Sequence, residues 1–183
     1  MTQKLDKGEI NKILELLDEE ISKDIEQPQI KFNLIAVGGT SLTLRDIKPS
    51  TKDLDFMVDG IEIEKIKKYV KKVYEKNKCK LDLWQSPYIF STTLLQDFSS
   101  DLYSRKFKHF DVRIINLVDN AVAKLSRFNE ADREDIDSII KSGINVNDIV
   151  KRFKATLENN GFANKEDTKR NLEIFIKIIK LGI

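Results

Sequence analysis

The fold is decided by residues 34–58, LIAVGGTSLTLRDIKPSTKDLDFMV, which pass from one apolar run to another. The first run ends at the pair Gly38-Gly39, and the second contains the acidic residues Asp53 and Asp55. Successive side chains of a strand point to opposite faces, so the two carboxylates are predicted to share one face. Like charges this close repel each other unless a cation lies between them. The pattern therefore predicts a metal ion at Asp53 and Asp55.

The glycine pair predicts a site for a phosphate group. A strand that ends at Gly38-Gly39 and continues into a helix opened by Thr40 and Ser41 presents backbone N–H groups and hydroxyls. Carboxylates one strand later could hold Mg²⁺ ions that bridge the same phosphate. Taken separately, the acidic pair would be interpreted as the solvated face of an edge strand. The occurrence of glycines, hydroxyls and carboxylates together favours the phosphate and metal site.

The same stretch resembles the signature of a known family. An apolar residue and two glycines, Val37–Gly39, are followed by a spacer over residues 40–52 and by the acid–apolar–acid–apolar run Asp53–Phe56. This order is similar to that of nucleotidyltransferases of the DNA polymerase beta type, with a spacer at the long end of the family range. The resemblance implies a nucleotidyltransferase-type mixed sheet flanked by helices, a nucleoside triphosphate substrate and two Mg²⁺ ions.

The resemblance also implies a third carboxylate on a later strand, and two residues compete for that role. Asp82 lies in the run Leu-Asp-Leu-Trp, which looks like the third-acid strand of small prokaryotic members. Asp111 lies in an alternating run of its own, where Arg113 shares its face and could make it structural. Asp82 is the preferred candidate, and Asp111 is the alternative.

A second motif lies in the helical part of the chain. Lys124 and Arg127 are three residues apart and therefore share a helix face. From spacing alone, they would be surface residues that pair within a helical hairpin. Together with Asp132 and Asp135, however, they resemble a motif of small superfamily members, including the AbiEii-type toxins of toxin–antitoxin and phage-defence systems. Ala131 departs from that motif, because those relatives usually have an arginine before the first aspartate.

The chemistry implied by the resemblance is metal-assisted nucleotidyl transfer. Asp53, Asp55 and Asp82 would be the metal ligands, and Asp82 would help to deprotonate an attacking hydroxyl. The residues implied to bind the nucleotide lie at the glycine turn and on the first helix of the C-terminal part: Gly38, Gly39, Thr40, Ser41, Lys124 and Arg127. Lys124 would neutralise phosphate charge, and Asp135 would orient Lys124 or the acceptor.

The acceptor expected from the resemblance is a hydroxyl of RNA or of protein. In the toxin-like branch it would be the 3′ end of tRNA, and in the minimal nucleotidyltransferase antitoxins it would be a hydroxyl of a cognate toxin. One alternative is a catalytically inactive protein that keeps the fold for binding nucleotides or partners. Another is a structural α/β domain in which the motifs coincide by chance.

Composition excludes several other classes of function. Cys79 and His109 are the only cysteine and the only histidine. An internal disulfide, a zinc site of the Cys/His type and catalysis by a Cys–His pair are therefore excluded. A Ser–His–Asp triad would require His109, and nothing near it in the sequence favours one. Charged residues make up 34% of the chain, yet the net charge is only +2. The N-terminus is not a signal peptide and no apolar run approaches membrane length, so we expect a cytoplasmic protein.

Apolar periodicity predicts strands and helices over residues 1–117 and helices alone over residues 118–183. Together with the resemblance, this implies an α+β fold in which residues 1–117 form a nucleotidyltransferase-like core and residues 118–183 form a helical bundle packed on it. Helices are predicted over 8–22, 40–45, 62–76, 120–127, 132–141, 146–157 and 166–180. Strands are predicted near 31–37, from 53 to Gly60, over 80–84 and over 107–115, with residues 86–106 ambiguous. Pro28 is predicted to interrupt the chain before the first strand, and Asp119 to cap the fourth helix.

Overall fold

The protein is built from two units, each of which combines two stretches of the chain. A computed structural model describes residues 4–25 and 31–181, so the predicted interruption at Pro28 lies outside the described residues. The first unit comprises Met1–Ser86 and Ser100–Ile115, and the second comprises Pro87–Ser99 and Asn116–Ile183. The residues inserted between the two stretches of the first unit fall in the segment that the sequence leaves ambiguous.

Among the described residues, helices and strands alternate from Lys7 to Gln85. Four further strands and then four consecutive helices follow. The strands are β1 (Phe32–Ala36), β2 (Leu54–Val58), β3 (Leu81–Gln85), β4 (Tyr88–Ile89), β5 (Thr92–Thr93), β6 (Ser100–Leu102) and β7 (Phe110–Ile115). The helices are α1 (Lys7–Ser22), α2 (Gly38–Leu44), α3 (Gly60–Asn77), α4 (Leu117–Arg127), α5 (Glu130–Lys141), α6 (Val146–Glu158) and α7 (Lys165–Leu181).

The first unit contains a five-stranded mixed sheet in the order β3-β2-β1-β7-β6. The β2–β3 and β1–β7 pairs are parallel, whereas β1–β2 and β6–β7 are antiparallel. The mixed sheet with flanking helices, followed by the C-terminal helices, confirms the predicted fold class.

Alternation along the strands separates an apolar face of this sheet from a polar one. Leu34 of β1, Leu54 and Phe56 of β2, and Leu81 of β3 all lie in the hydrophobic core. Helices α1 and α3 pack against each other, and α3 also packs against β3. Burial of this apolar surface stabilises the unit by roughly 25 cal/mol per Å². The opposite face is therefore the one that carries the carboxylate of Asp55.

Local sequence explains where α1 begins. The side chain of Asp6 accepts a hydrogen bond from the amide of Glu9, and the side chain of Glu9 accepts one from the amide of Asp6. This reciprocal capping satisfies two amides that the first turn would otherwise leave without partners. The helix follows the predicted span closely, because its apolar residues recur at helical spacing.

The second unit consists of α4–α7 and the β4–β5 hairpin. Helix α4 packs against α5, α6 and α7. The hairpin is held within the unit by the amide of Thr93, which donates to the carbonyl of Gly161 at 2.7 Å. The hydroxyls of Ser91 and Thr92 lie 3.1 Å and 3.0 Å from that of Ser126 on α4.

The cap of α4 differs from the prediction. The helix begins at Leu117, and the side chain of Asn116 accepts from the amide of Val118 at 2.8 Å. The prediction that Asp119 is the cap is therefore wrong. Asp119 lies in the first turn, is buried, and accepts from Nε of Arg152 at 2.7 Å.

Among the residues described, the structure has no helix whose length and hydropathy would let it span a bilayer.

Candidate active site

Two carboxylates lie side by side on neighbouring strands of the first unit. Strands β2 and β3 run parallel, and Asp55 is the register partner of Asp82. Adjacent strands are about 4.8 Å apart, so these side chains leave the same face of the sheet as close neighbours. Continuing the register by one residue sets Asp53 beside Lys80, and the amide of Leu54 donates to the carbonyl of Lys80 at 3.1 Å. The structure thus brings the three predicted metal ligands to one end of β2 and β3.

The ammonium group of Lys80 lies among these carboxylates. Its Nζ is 2.6 Å from Oδ2 of Asp82. That hydrogen bond, followed by the negative charges of Asp82, Asp53 and Asp55, raises the pKa of Lys80 above its usual value. The carboxylates therefore already attract a cation, although the exposure of the Lys80 side chain means that solvent screens the attraction.

The donors at this position are of the type that a hard divalent cation takes, but Asp82 would have to exchange Lys80 for the ion. Carboxylate oxygens are the ligands that Mg²⁺ prefers, and the lysine ammonium occupies the region where positive charge is favourable. As the side chains are placed, no group of three or more His, Cys, Asp or Glu residues could hold a metal ion within residues 4–25 and 31–181. Asp82 is turned toward Lys80, and Asp55 is held by Trp84.

Trp84 is a residue of the site that the sequence interpretation missed. Its indole Nε1 donates to Oδ1 of Asp55 at 3.1 Å. Trp84 lies two residues after Asp82 and therefore projects from the same face of β3. The alternation along β3 indicates that Trp84 and Asp82 share a face. It does not reveal that the indole reaches the neighbouring strand and bonds Asp55.

If Asp55 is a Mg²⁺ ligand as predicted, we expect Trp84→Phe to weaken Mg²⁺ binding by about tenfold, because the substitution removes the neutral donor that orients Asp55 while it keeps an aromatic ring. Isothermal titration calorimetry with Mg²⁺ measures this directly. An unchanged affinity would mean that Asp55 is positioned by the strand alone.

Both glycines of the turn are required by local geometry. Gly38 has a φ of 57°, in the left-handed region where a side chain is strained. A Cβ on Gly39 would lie 2.5 Å from Oγ1 of Thr51. The same Oγ1 donates to the carbonyl of Asp53 at 3.1 Å. The glycine pair thus lets α2 begin directly against the loop that leads into the acidic strand.

The two hydroxyls after the glycines are buried and bond to the backbone. Oγ1 of Thr40 donates to the carbonyl of Asp53 at 3.2 Å and accepts from the amide of Asp55 at 2.9 Å. Oγ of Ser41 donates to the carbonyl of Gly38 at 2.9 Å. Thr40 therefore fixes the acidic strand relative to the turn.

Asp111, the alternative third acid, lies well away from this cluster. The amide of Val37 donates to the carbonyl of Asp55, so Val37 marks the level of Asp55 on β1. Asp111 is the register partner of Asn33, four residues before Val37, which corresponds to about 13 Å along the strand. Its Oδ1 lies 3.3 Å from Nζ of Lys31. The geometry favours Asp82 over Asp111.

The predicted residues of the second unit form an ionic cluster. Nζ of Lys124 on α4 lies 2.5 Å from Oδ2 of Asp135 and 3.6 Å from Oδ1 of Asp132, both on α5. Arg127 contacts the same Oδ1 of Asp132 at 2.7 Å. Lys124, Asp132 and Asp135 are buried, so this is not the surface pairing that spacing alone suggests. Two positive and two negative charges compensate each other.

The guanidinium that contacts Asp132 belongs to Arg127 and not to Arg133, the residue that follows Asp132. Arg127 is about one-third exposed and lies over the ring of Phe90, 3.8 Å from its centre. Arg133 instead lies over the ring of Phe128 and donates from Nε to the carbonyl of that residue at 3.1 Å. Position 131 is an alanine, so the guanidinium of this cluster comes from Arg127 on α4.

The single histidine and the single cysteine have structural surroundings. Nδ1 of His109 lies 2.8 Å from Oδ1 of Asp18 and 3.3 Å from Oγ of Ser22, while Nε2 lies 2.7 Å from the carbonyl of Ile25. A hydrolytic triad needs serine and aspartate at opposite ring nitrogens, which this arrangement does not provide. Burial raises the pKa of the Cys79 thiol to about 11, so it is protonated at neutral pH and a poor nucleophile.

Comparison with known proteins identifies the family. Neither the curated proteins nor the solved structures include a match to this chain. A family model described as a nucleotidyltransferase of unknown function, DUF6036, matches residues 12–180. This match covers both units, including helices α6 and α7, which carry none of the motif residues. The chain therefore belongs to the DUF6036 family of nucleotidyltransferases.

Proposed function

We propose that the protein is a Mg²⁺-dependent nucleotidyltransferase that moves a nucleoside monophosphate from a nucleoside triphosphate to an acceptor hydroxyl. The observation that carries this proposal is the register that sets Asp55 beside Asp82 and Asp53 beside Lys80, next to the glycine turn. The lysine ammonium among the acids supports a cation site there. The family description supports nucleotidyl transfer in general.

The proposed roles follow from the positions of the side chains. Asp53, Asp55 and Asp82 would hold Mg²⁺, which when bound supplies charge stabilisation to the entering and leaving oxygens. The turn at Gly38 and Gly39 would approach the triphosphate through its backbone. The acceptor oxygen forms a bond to the α-phosphorus, the bond between the α-phosphorus and the bridging oxygen breaks, and pyrophosphate leaves. The hydroxyl proton passes to a carboxylate, for which Asp82 is the candidate.

For the second unit we propose a division of roles within the ionic cluster. Arg127 has the exposure needed to contact an anionic ligand, and its planar guanidinium suits a phosphate. Lys124 is buried and bonded to Asp135. We therefore propose that it acts on a phosphate indirectly, by adding positive charge to the cluster and by holding the cluster in place. Asp135 orients Lys124.

The proposed acceptors are the 3′ end of tRNA or a hydroxyl of a cognate protein, within a toxin–antitoxin or phage-defence system. The resemblance of the helical motif to that of AbiEii-type toxins supports this part of the proposal. The four residues on which that resemblance rests also contact one another, since Arg127 pairs with Asp132 and Lys124 lies near both Asp132 and Asp135.

The test is a label-transfer assay with each labelled nucleoside triphosphate, Mg²⁺, and either total tRNA or a candidate partner protein. We expect transfer that stops when EDTA removes the metal and that is absent in Asp53→Ala. Binding of triphosphate without transfer to either acceptor class would overturn the proposal in favour of a nucleotide-binding protein without activity.

A further inference from the structure

A basic cleft opens directly beside Asp53 in the first unit. It has a volume of about 310 Å³, and three lysines and one tyrosine are among the residues that line it: Lys52, Tyr74, Lys78 and Lys80. Asp53 also lines the cleft, so one of the proposed metal ligands forms part of its wall. This volume is at the lower end of small-ligand sites, which suits the terminal residue of a longer chain.

The order of the strands places two lysines of this cleft, Lys78 and Lys80, on the far side of β2 from the glycine turn. Strand β2 lies between β1 and β3. The glycine turn follows β1, whereas Lys78 and Lys80 lie in the segment that leads into β3. In-line displacement at phosphorus needs the attacking and leaving oxygens on opposite sides. An acceptor held by Lys78 and Lys80 would therefore lie across β2 from a triphosphate held at the turn.

The side chains of the cleft match the two parts of a nucleotide. Lysine ammonium groups attract phosphates, and a single-stranded nucleic acid adds the stacking of its bases on aromatic rings. Tyr74 is 47% exposed, and Nζ of Lys78 lies 5.9 Å from the centre of its ring. The cleft thus offers an aromatic face next to positive charge.

Lys78 also adopts a backbone conformation that a lysine does not favour. Its φ is 54°, and its amide donates to the carbonyl of Tyr74 at 2.7 Å, which ends α3 in a left-handed cap. Glycine is the usual residue at such a position, because a Cβ strains it. A lysine here costs stability, and such strained positions are concentrated at functional sites.

We propose that this cleft binds the end of a single-stranded nucleic acid whose terminal hydroxyl is the acceptor, an inference that rests on the proposed function. Lys52, Lys78 and Lys80 contact its phosphates, and Tyr74 stacks on a base. The inference selects nucleic acid over protein as the acceptor. An acidic protein segment would use the lysines but would leave the ring of Tyr74 without a stacking partner.

The test measures binding alone, in EDTA, so that it does not depend on catalysis. Fluorescence anisotropy with a labelled single-stranded oligoribonucleotide compares the full chain with Lys78→Gly, Tyr74→Ala and the control Lys65→Gln. Lys65 is an exposed lysine near the other end of α3, so its substitution removes the same charge away from the cleft. Glycine suits the conformation at position 78, so Lys78→Gly should raise the melting temperature by about 2–4 °C while it removes the side chain.

We expect Tyr74→Ala to weaken binding by at least about fivefold. Lys78→Gly should lower the slope of log affinity against log salt by about 0.7, and Lys65→Gln should have little effect. Equal binding by all variants, or an equal loss in Lys65→Gln and Lys78→Gly, would overturn the inference. Transfer to a protein acceptor without oligonucleotide binding would overturn it and leave the proposed function standing. Cleft-dependent binding without any transfer would support the site and overturn the function.

Discussion

Asp55→Asn is expected to lower the rate of nucleotidyl transfer by at least about 10³-fold while the protein stays folded. Asparagine keeps the shape of the side chain, and its oxygen can still accept from Nε1 of Trp84. What it loses is the charge that would attract the proposed metal ion. A bound ion contributes several kcal/mol of charge stabilisation in the transition state, and about 4 kcal/mol corresponds to a factor of 10³. Initial rates of label transfer measure the effect.

The stability of this variant separates loss of chemistry from loss of structure. Asp55 and Asp82 are adjacent acids, so removing one charge relieves repulsion in the metal-free protein. Thermal unfolding without Mg²⁺ should therefore give a melting temperature at or above that of the wild type. Added Mg²⁺ should raise the melting temperature of the wild type more than that of the variant. A variant that remains active would show that Asp55 is not a metal ligand.

Two further asparagine substitutions decide which acid is the third ligand. Asp82→Asn should reduce transfer strongly, because Asp82 is next to Asp55 in the register. Asp111→Asn is the matched control, since Asp111 is also on the sheet but pairs with Asn33 and lies near Lys31. Loss of activity in Asp111→Asn with full activity in Asp82→Asn would reverse the assignment.

Lys124→Met is expected to destabilise the second unit by about 3–5 kcal/mol. Nζ of Lys124 bonds Asp135 and lies near Asp132, and all three side chains are buried. Without the ammonium, Asp135 becomes a buried carboxylate whose principal cation is gone, while Asp132 keeps Arg127. Removing the ammonium that balances a buried carboxylate is far more costly than losing an exposed pair. Urea unfolding monitored by circular dichroism of the helices measures the change in the free energy of unfolding.

Two controls test the cause of this loss. Lys141→Met removes a lysine that pairs with Asp137 on the exposed surface of α5, so it should cost less than about 1 kcal/mol. The double substitution Lys124→Met, Asp135→Leu removes both charges and should recover much of the stability. If the double variant is as unstable as Lys124→Met alone, the loss comes from packing and not from an unpaired charge.

The sequence was sufficient to predict the parts of the fold that rest on local periodicity. The apolar spacing of α1 and the alternation around Asp55 predict the helix and the strand faces, because each face is set by residues close in the chain. Residues 86–106 could not be assigned, since their short strands depend on distant partners: β6 pairs with β7, and Thr93 bonds Gly161.

The candidate site shows the same division between local and distant information. Asp53, Asp55 and the glycines follow from a compact motif, and the choice of Asp82 from its apolar setting. The roles of Lys80 and Trp84 depend on the parallel register of β2 and β3, which no spacing in the chain reveals. The cap at Asp119 was predicted wrongly because Asn116 supplies the oxygen and the helix extends further toward it.

The interleaving of the two units limits how the protein can be dissected. The polypeptide passes from one unit to the other after Ser86, after Ser99 and after Ile115. A C-terminal fragment that starts at Asn116 would therefore lack the hairpin that Gly161 and Ser126 hold in place. No single cleavage releases either half intact, so limited proteolysis and gene truncation would both yield incomplete pieces.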